Sequence, residues 1–233
     1  MKRVILFCAL LLAAFYTQAQ SLAVVRAQLE GNYSRSLGSE PLFAQSFDYR
    51  TARNHAFTFG IQEAPHRYAL NLAYQIAIWG DPNAKGLFFV ENRYLYRRFM
   101  RYEMQEFNGM LSLGYRNKHW QFKLGLCNRF ISEIPLRLNG GEGIVFEPMN
   151  VVFDLQYHLF DEQHPWNIGM SVSNQREFII ERVTLFYYSL LGYYQLSHQW
   201  RLTGEMGVNP SGVLNLSVEY NAFYLNLGCT YSF

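Results

Sequence analysis

Apolar and polar residues alternate one by one along nearly the whole chain beyond its first twenty positions. Tyr68, Leu70, Leu72, Tyr74, Ile76 and Ile78 interleave with Ala69, Asn71, Ala73, Gln75 and Ala77, and the same rhythm runs through 107–116, 120–127, 151–159 and 200–208. A period of two puts successive side chains on opposite faces of a β-strand, so each segment has one apolar face and one polar or small one. The segments last about 10–13 residues, whereas strands of soluble proteins usually last about 5–6. Large aromatics gather toward the segment ends, as at Tyr68, Tyr115, Trp120, Tyr157, Trp166 and Trp200. A tilted strand that crosses a bilayer needs about 9–11 residues, and aromatic girdles mark the two interfaces. In lipid every backbone group must find a partner, so such a sheet closes into a barrel. Taken alone, the alternation also fits a secreted β-sandwich with one wet face.

Composition agrees with strands of this kind. The 233 residues include 19 Phe, 17 Tyr and 4 Trp, yet only 16% are charged and mean hydropathy is −0.10. Many aromatics with middling hydropathy is what a chain shows when half its strand positions face apolar surroundings and half face water. So much apolar content argues against disorder. A net charge of +2 leaves no basic footprint for nucleic acid.

The first residues read as a targeting segment. Met1-Lys2-Arg3 precedes an apolar stretch from Val4 to Tyr16 and the small-x-small end Thr17-Gln18-Ala19, the pattern of a secretory signal peptide over 1–19. The apolar stretch is shorter than the roughly 20 residues of a membrane-spanning helix; an N-terminal anchor helix is the alternative. Removing 19 of 233 residues leaves 214 in a barrel domain over 20–233. Its two cysteines, Cys127 and Cys229, make no disulfide framework, and no Cys/His cluster suggests a metal.

The last strand carries a more specific signal. Phe223, Leu225, Leu227, Cys229, Tyr231 and Phe233 share one face, and the sequence ends on an aromatic residue. Asn226, Gly228, Tyr231 and Phe233 fill a polar-x-Gly-x-x-aromatic-x-aromatic pattern. In this the chain resembles bacterial outer-membrane β-barrel proteins. The resemblance implies an up-and-down antiparallel transmembrane β-barrel in the outer membrane, inserted by the barrel-assembly machinery, with its C-terminus in the periplasm. At about 17 residues per strand and connection, 214 residues hold about twelve strands, within a range of about ten to fourteen. Candidates lie near 23–34, 41–50, 54–62, 67–79, 87–98, 106–116, 119–131, 150–160, 166–174, 183–196, 199–208 and 213–233. The alternation slips around Tyr220-Asn221-Ala222, where a β-bulge gives one kinked strand and a tight turn gives two. The bulge leaves the long 132–148 stretch as an outer loop and is preferred.

Parity sends Glu91, Arg93, Arg97, Arg116, Lys123, Arg129, Asp154, His158, Arg201, Glu205 and Glu219 inward. A Lys or Arg facing lipid at mid-depth costs about 2–4 kcal/mol, which favours that side. Inside, they form either a paired network that fills a narrow barrel or the mildly cationic wall of a small pore. The Arg97-Arg98 and Arg101 cluster at a strand end suits lipid headgroups or a solvated rim. Some barrels of this class hydrolyse lipids through a His-x-Ser-Asn-type stretch. The nearest match here is Ser171-Val172-Ser173-Asn174, where Ser171 stands in the histidine position and the general base is missing. No catalytic residue, metal or cofactor is therefore expected. The expected role is porin-like or structural within the cell envelope. A lipid-modifying enzyme and an accessory subunit of an envelope complex are the alternatives. Expected partners are outer-membrane lipids and the assembly machinery, with a small solute and an envelope protein as further candidates and no nucleic acid.

Overall fold

The computed structural model describes residues 22–34, 38–51, 55–81, 86–100, 103–133, 143–161, 164–182, 185–211 and 219–233. The signal-peptide expectation for 1–19 lies outside them. Twelve strands form one closed antiparallel barrel: β1 (Leu22–Ser34), β2 (Gly38–Arg50), β3 (Ala56–Ala64), β4 (Arg67–Asp81), β5 (Gly86–Phe99), β6 (Met104–Arg116), β7 (Trp120–Glu133), β8 (Gly143–His158), β9 (Trp166–Ser173), β12 (Tyr187–Gln195), β13 (Trp200–Ser211) and β14 (Glu219–Ser232). Two short strands, β10 (Gln175–Arg176) and β11 (Ile179–Ile180), pair only with each other. β1 closes the barrel on β14, from Val24 opposite Ser232 to Ser34 opposite Ala222. Closure leaves no sheet edge, the condition a spanning sheet must meet. The first residue of β1 and the last of β14 share one end, the terminal end.

Three irregularities set the register. Asn209 faces Ala222 and Pro210 faces Tyr220, so Asn221 is the extra residue of a bulge and β14 is one kinked strand. On β8 the bulge lies at Pro148-Met149, opposite Asn128, and Met149 takes a left-handed φ of 54°. A third shift falls between Ala77 and Trp79. The β8 bulge corrects the sequence reading. Residues 143–148 are strand, paired with the end of β7; a period-two scan misses them because Ile144, Val145 and Phe146 run without alternation beyond the extra residue.

The outer face is apolar all round. Leu70, Leu111, Leu124, Leu155, Leu190, Leu202 and Leu225, on seven different strands, are exposed, Leu111 to 60%. A water-soluble monomer does not leave so broad an apolar surface uncovered. Aromatic pairs border it in two rows. At the terminal end Phe88 meets Tyr115 at 4.9 Å, Trp120 meets Tyr157 at 4.7 Å and Trp200 meets Tyr231 at 4.8 Å. At the other end Tyr68 meets Tyr96 at 5.7 Å and Phe130 meets Phe146 at 4.6 Å. Trp120 and Phe130 stand at opposite ends of one strand. Ten steps of about 3.3 Å, tilted by about 40°, span about 25 Å of bilayer depth. Leu111, between the rows, tests this band. Leu111→Arg destabilises the barrel in lipid vesicles by about 2–4 kcal/mol, read from urea unfolding. A loss below about 0.5 kcal/mol would place Leu111 outside the apolar depth.

Candidate functional site

The interior is divided by residues 174–182, which follow β9. They do not stand above the barrel but turn into it. Phe178 and Ile180 form a buried apolar cluster with Ala44, Ala69, Leu95, Met110, Cys127 and Val152. Those six lie on β2, β4, β5, β6, β7 and β8, at inward positions, so the β10–β11 hairpin rests on half the wall. Gly60 of β3 leaves space for the Phe178 ring, which lies where a Cβ would stand.

Charged groups then pin the hairpin at several points. Arg176 makes a bidentate contact with Glu30 of β1, at 3.2 and 2.6 Å, and its guanidinium lies 3.3 Å from the centre of the Tyr224 ring on β14. Arg93 of β5 donates to the Arg176 carbonyl at 3.4 Å, and Arg129 of β7 donates to the Ile180 carbonyl. Arg182, just beyond the hairpin, pairs with Glu147 of β8. Glu177 lies 3.9 Å from Arg26 of β1, which itself binds Asp48 of β2 at 2.6 Å. Backbone polar groups inside a barrel need partners of this kind.

On the far side of the hairpin from the terminal end, the wall side chains close together. Arg97 and Arg129 converge on Glu106, at 2.6 and 3.2 Å, and Arg129 also reaches Glu147 at 3.4 Å. Asn108 donates to Glu106 at 2.7 Å. Arg97, Glu106, Asn108 and Arg129 are each exposed by 9% or less. Toward the terminal end the lumen opens into a cavity of about 580 Å³, with β10 and Phe178 at its inner limit.

The residues expected inside from parity are placed as follows. Arg93, Lys123 and Asp154 line the cavity within one ionic chain: Arg93 to Glu91 at 2.9 Å, Lys123 to Glu91 at 3.6 Å and Lys123 to Asp154 at 3.6 Å. Gln121 and Gln156 also hold Asp154. Arg116, His158, Arg201 and Glu205 line the cavity too. Arg201 bonds Gln195 at 2.9 Å and lies over the Tyr193 ring, and Glu205 accepts from the Tyr224 hydroxyl. Arg97 and Arg129 sit in the closed half. Arg97 is thus an inward, paired group rather than part of a rim cluster, whereas Arg98 points the other way and Arg101 is outside the described residues. The Glu219 side chain is also outside them. Asn226 faces the lumen beside Glu30, and Tyr231 and Phe233 meet edge to face on the outer side at 4.7 Å. Cys127 and Cys229 are free thiols.

Ser173 is occupied by backbone. Its hydroxyl contacts the Phe153 carbonyl at 3.0 Å and the Gln175 carbonyl at 2.7 Å, and accepts from the Gln175 amide. Asn174 bonds the backbone of Phe153, Val151 and Glu181. These bonds turn the chain from β9 into the lumen, so the stretch compared above with a catalytic motif is a hinge for the hairpin.

Comparison with solved structures finds the same architecture. The KdgM porin, solved in complex with a disordered oligogalacturonate, aligns with a TM-score of 0.55 at 9% identity, over 90% of this chain and 99% of that one. The NanC porin aligns with a TM-score of 0.51 at 11% identity, over 88% and 98%. Outer membrane phospholipase A from Escherichia coli aligns with a TM-score of 0.50 at 10% identity, over 89% and 92%. This chain has the fold of a bacterial outer-membrane β-barrel. No family model matches it, and no curated protein matches it either. Porins and a phospholipase share these proportions, so the barrel alone does not choose a function and the interior must.

Several interior residues escaped the sequence reading. Arg26, Glu30, Asp48 and Glu106 were accessible to the parity rule, since each neighbours an outward apolar residue. Arg176 and Glu177 were not, because a two-residue strand carries no period. Their signal was compositional: Gln175-Arg176-Glu177-Phe178-Ile179-Ile180-Glu181-Arg182 sets an apolar triplet between charges, which is unusual for a loop in water.

Proposed function

We propose that this protein is an outer-membrane channel for small solutes whose passage is controlled by the β10–β11 hairpin, closed in the form described above. The observation that carries the proposal is how the lumen ends. A purely structural barrel is filled by wall side chains through its height. Here about 580 Å³ of polar cavity stops at a loop segment held by ion pairs, by an arginine bond to its backbone and by an apolar cluster. The likeness of the fold to two porins supports the same reading. In this account residues 1–19 direct export, and Asn226, Gly228, Tyr231 and Phe233 present the last strand to the assembly machinery. The terminal end then opens to the periplasm and the hairpin enters from outside. The parity residues line the passage or, as with Arg97 and Arg129, brace its closed half. Catalysis has no part in this reading, since Ser171 and Ser173 face the lumen and a lipid substrate meets the outer face.

Conductance in planar bilayers tests the proposal. The full barrel gives rare, small current steps, and a variant with 175–182 replaced by a short Gly/Ser link gives steady steps several times larger. Silence from both, with both folded by their heat-modifiable gel shift, would overturn it.

A further inference from the structure

The cavity holds polar groups that nothing among the described residues satisfies. Both side-chain amide atoms of Asn71, 1% exposed, and both of Gln175, 5% exposed, lack a hydrogen-bond partner among the described residues. Gln75 Nε2, Arg93 Nε and Asn226 Oδ1 are in the same position. All five residues line the one cavity. The register explains how they converge. Arg93 sits opposite Ala73, between Asn71 and Gln75 on the neighbouring strand. Its bond to the Arg176 carbonyl brings the adjacent Gln175 to that wall. Arg176 spans the lumen to Glu30, and Asn226 is the cross-strand neighbour of Glu30. The unpaired amides therefore flank β10 from one wall to the other.

Buried amides need partners, from water or from a ligand. The charged groups of the lining largely answer one another, Arg176 with Glu30, Lys123 with Asp154 and Arg26 with Asp48. Arg26, Arg93, Arg176 and Glu177 each keep one unpaired polar atom but already belong to ion pairs. The side chains left wholly unpaired, Asn71 and Gln175, are neutral and both donate and accept, and this chemistry matches hydroxyl groups, which also do both. A ring from Phe178 lies at the same inner limit, an apolar face for the C–H side of a sugar. The volume falls within the ~300–1,000 Å³ typical of small-molecule sites.

We infer that this cavity is a binding site for a neutral saccharide of one or two rings, held by Asn71, Gln75, Gln175 and Asn226 beneath the hairpin. The site deepens the channel reading by naming a class of solute, but binding is measured without transport. The refolded full chain, ¹⁵N-labelled in detergent micelles, is titrated with maltose, glucose and glucuronate while side-chain amide signals are followed by NMR. Saturable shifts with maltose or glucose are expected, with glucuronate binding no more tightly. Gln175→Leu, similar in size, weakens binding about tenfold, as expected for hydrogen bonds lost from one amide. Absence of saturable shifts from the folded wild-type protein means hydration only and overturns the site. Glucuronate binding tenfold tighter than glucose also overturns it, by assigning recognition to the charges. Either failure leaves the conductance test of the channel untouched, and binding by a barrel that never conducts keeps the site and refutes the channel.

Discussion

Arg176→Ala raises the fraction of time the barrel conducts by about a hundredfold in planar bilayers, without enlarging the fully open step beyond that of the hairpin-deleted form. Arg176 makes the hairpin's tightest contact with the β1–β14 wall, through two bonds to Glu30 and its position 3.3 Å from the Tyr224 ring, while Glu177 adds only a 3.9 Å approach to Arg26. Breaking a buried ion pair by removing one partner costs about 3–5 kcal/mol. Losing a desolvated cation–π contact costs up to about 2 kcal/mol. Water entering beside Glu30, 4% exposed, recovers part of that. A net shift of about 2.7 kcal/mol between closed and open hairpin is a factor of about one hundred. The hairpin keeps its anchors on the opposite wall, namely Arg129 on the Ile180 carbonyl and Phe178 and Ile180 in their cluster. It therefore swings rather than leaves. Glu30→Ala reaches nearly the same open fraction, and the double variant adds little, because both single changes break one contact. Additive effects would show that the pair does not hold the gate, and unchanged gating in both single variants would remove Arg176 from the mechanism.

The barrel was largely legible in the sequence because lipid enforces a strict rule. An outward position on a spanning strand is apolar, an inward one is free, and the alternation writes the sheet into the chain. Even the Asn221 bulge was visible, as a slip in that alternation. Legibility failed where the rule lapses. Residues 143–148 lie beyond the β8 bulge, near the aromatic row, and their run of Ile144, Val145 and Phe146 has no period to find. The hairpin obeys neither lipid nor water. Phe178 and Ile180 are buried by the interior wall, so their burial depends on residues of six other strands, spread along the chain from Ala44 to Val152. The candidate site was legible in part. Parity assigns Lys123 and Asp154 to the inside, and the structure shows them in one ionic chain with Glu91. That Asn71, Gln175 and Asn226 meet around one cavity follows only from closure and from the inward turn at Ser173 and Asn174.

The closed half of the lumen gives the second large effect. Glu106→Ala lowers the stability of the barrel in lipid vesicles by about 3–5 kcal/mol, measured by urea unfolding. Glu106 is 4% exposed and binds Arg97, Arg129 and Asn108 at 2.6, 3.2 and 2.7 Å. Its removal takes from two buried guanidinium groups the carboxylate they share, leaving Arg129 with Glu147 at 3.4 Å and Arg97 with the more distant charge of Glu181. Glu106→Gln keeps the shape and an acceptor but not the charge, and falls between the wild type and Glu106→Ala. Replacing the cluster together, with Glu106→Leu and Arg129→Met, recovers much of the loss, since a packed apolar substitute avoids the desolvation of both ions. The result also bears on the channel. If this half of the lumen were wet, the arginines would be solvated and Glu106→Ala would cost about 1 kcal/mol or less, as at a surface pair. A cost that small would mean that water already reaches past the hairpin, and the gate would have to be sought elsewhere along the barrel.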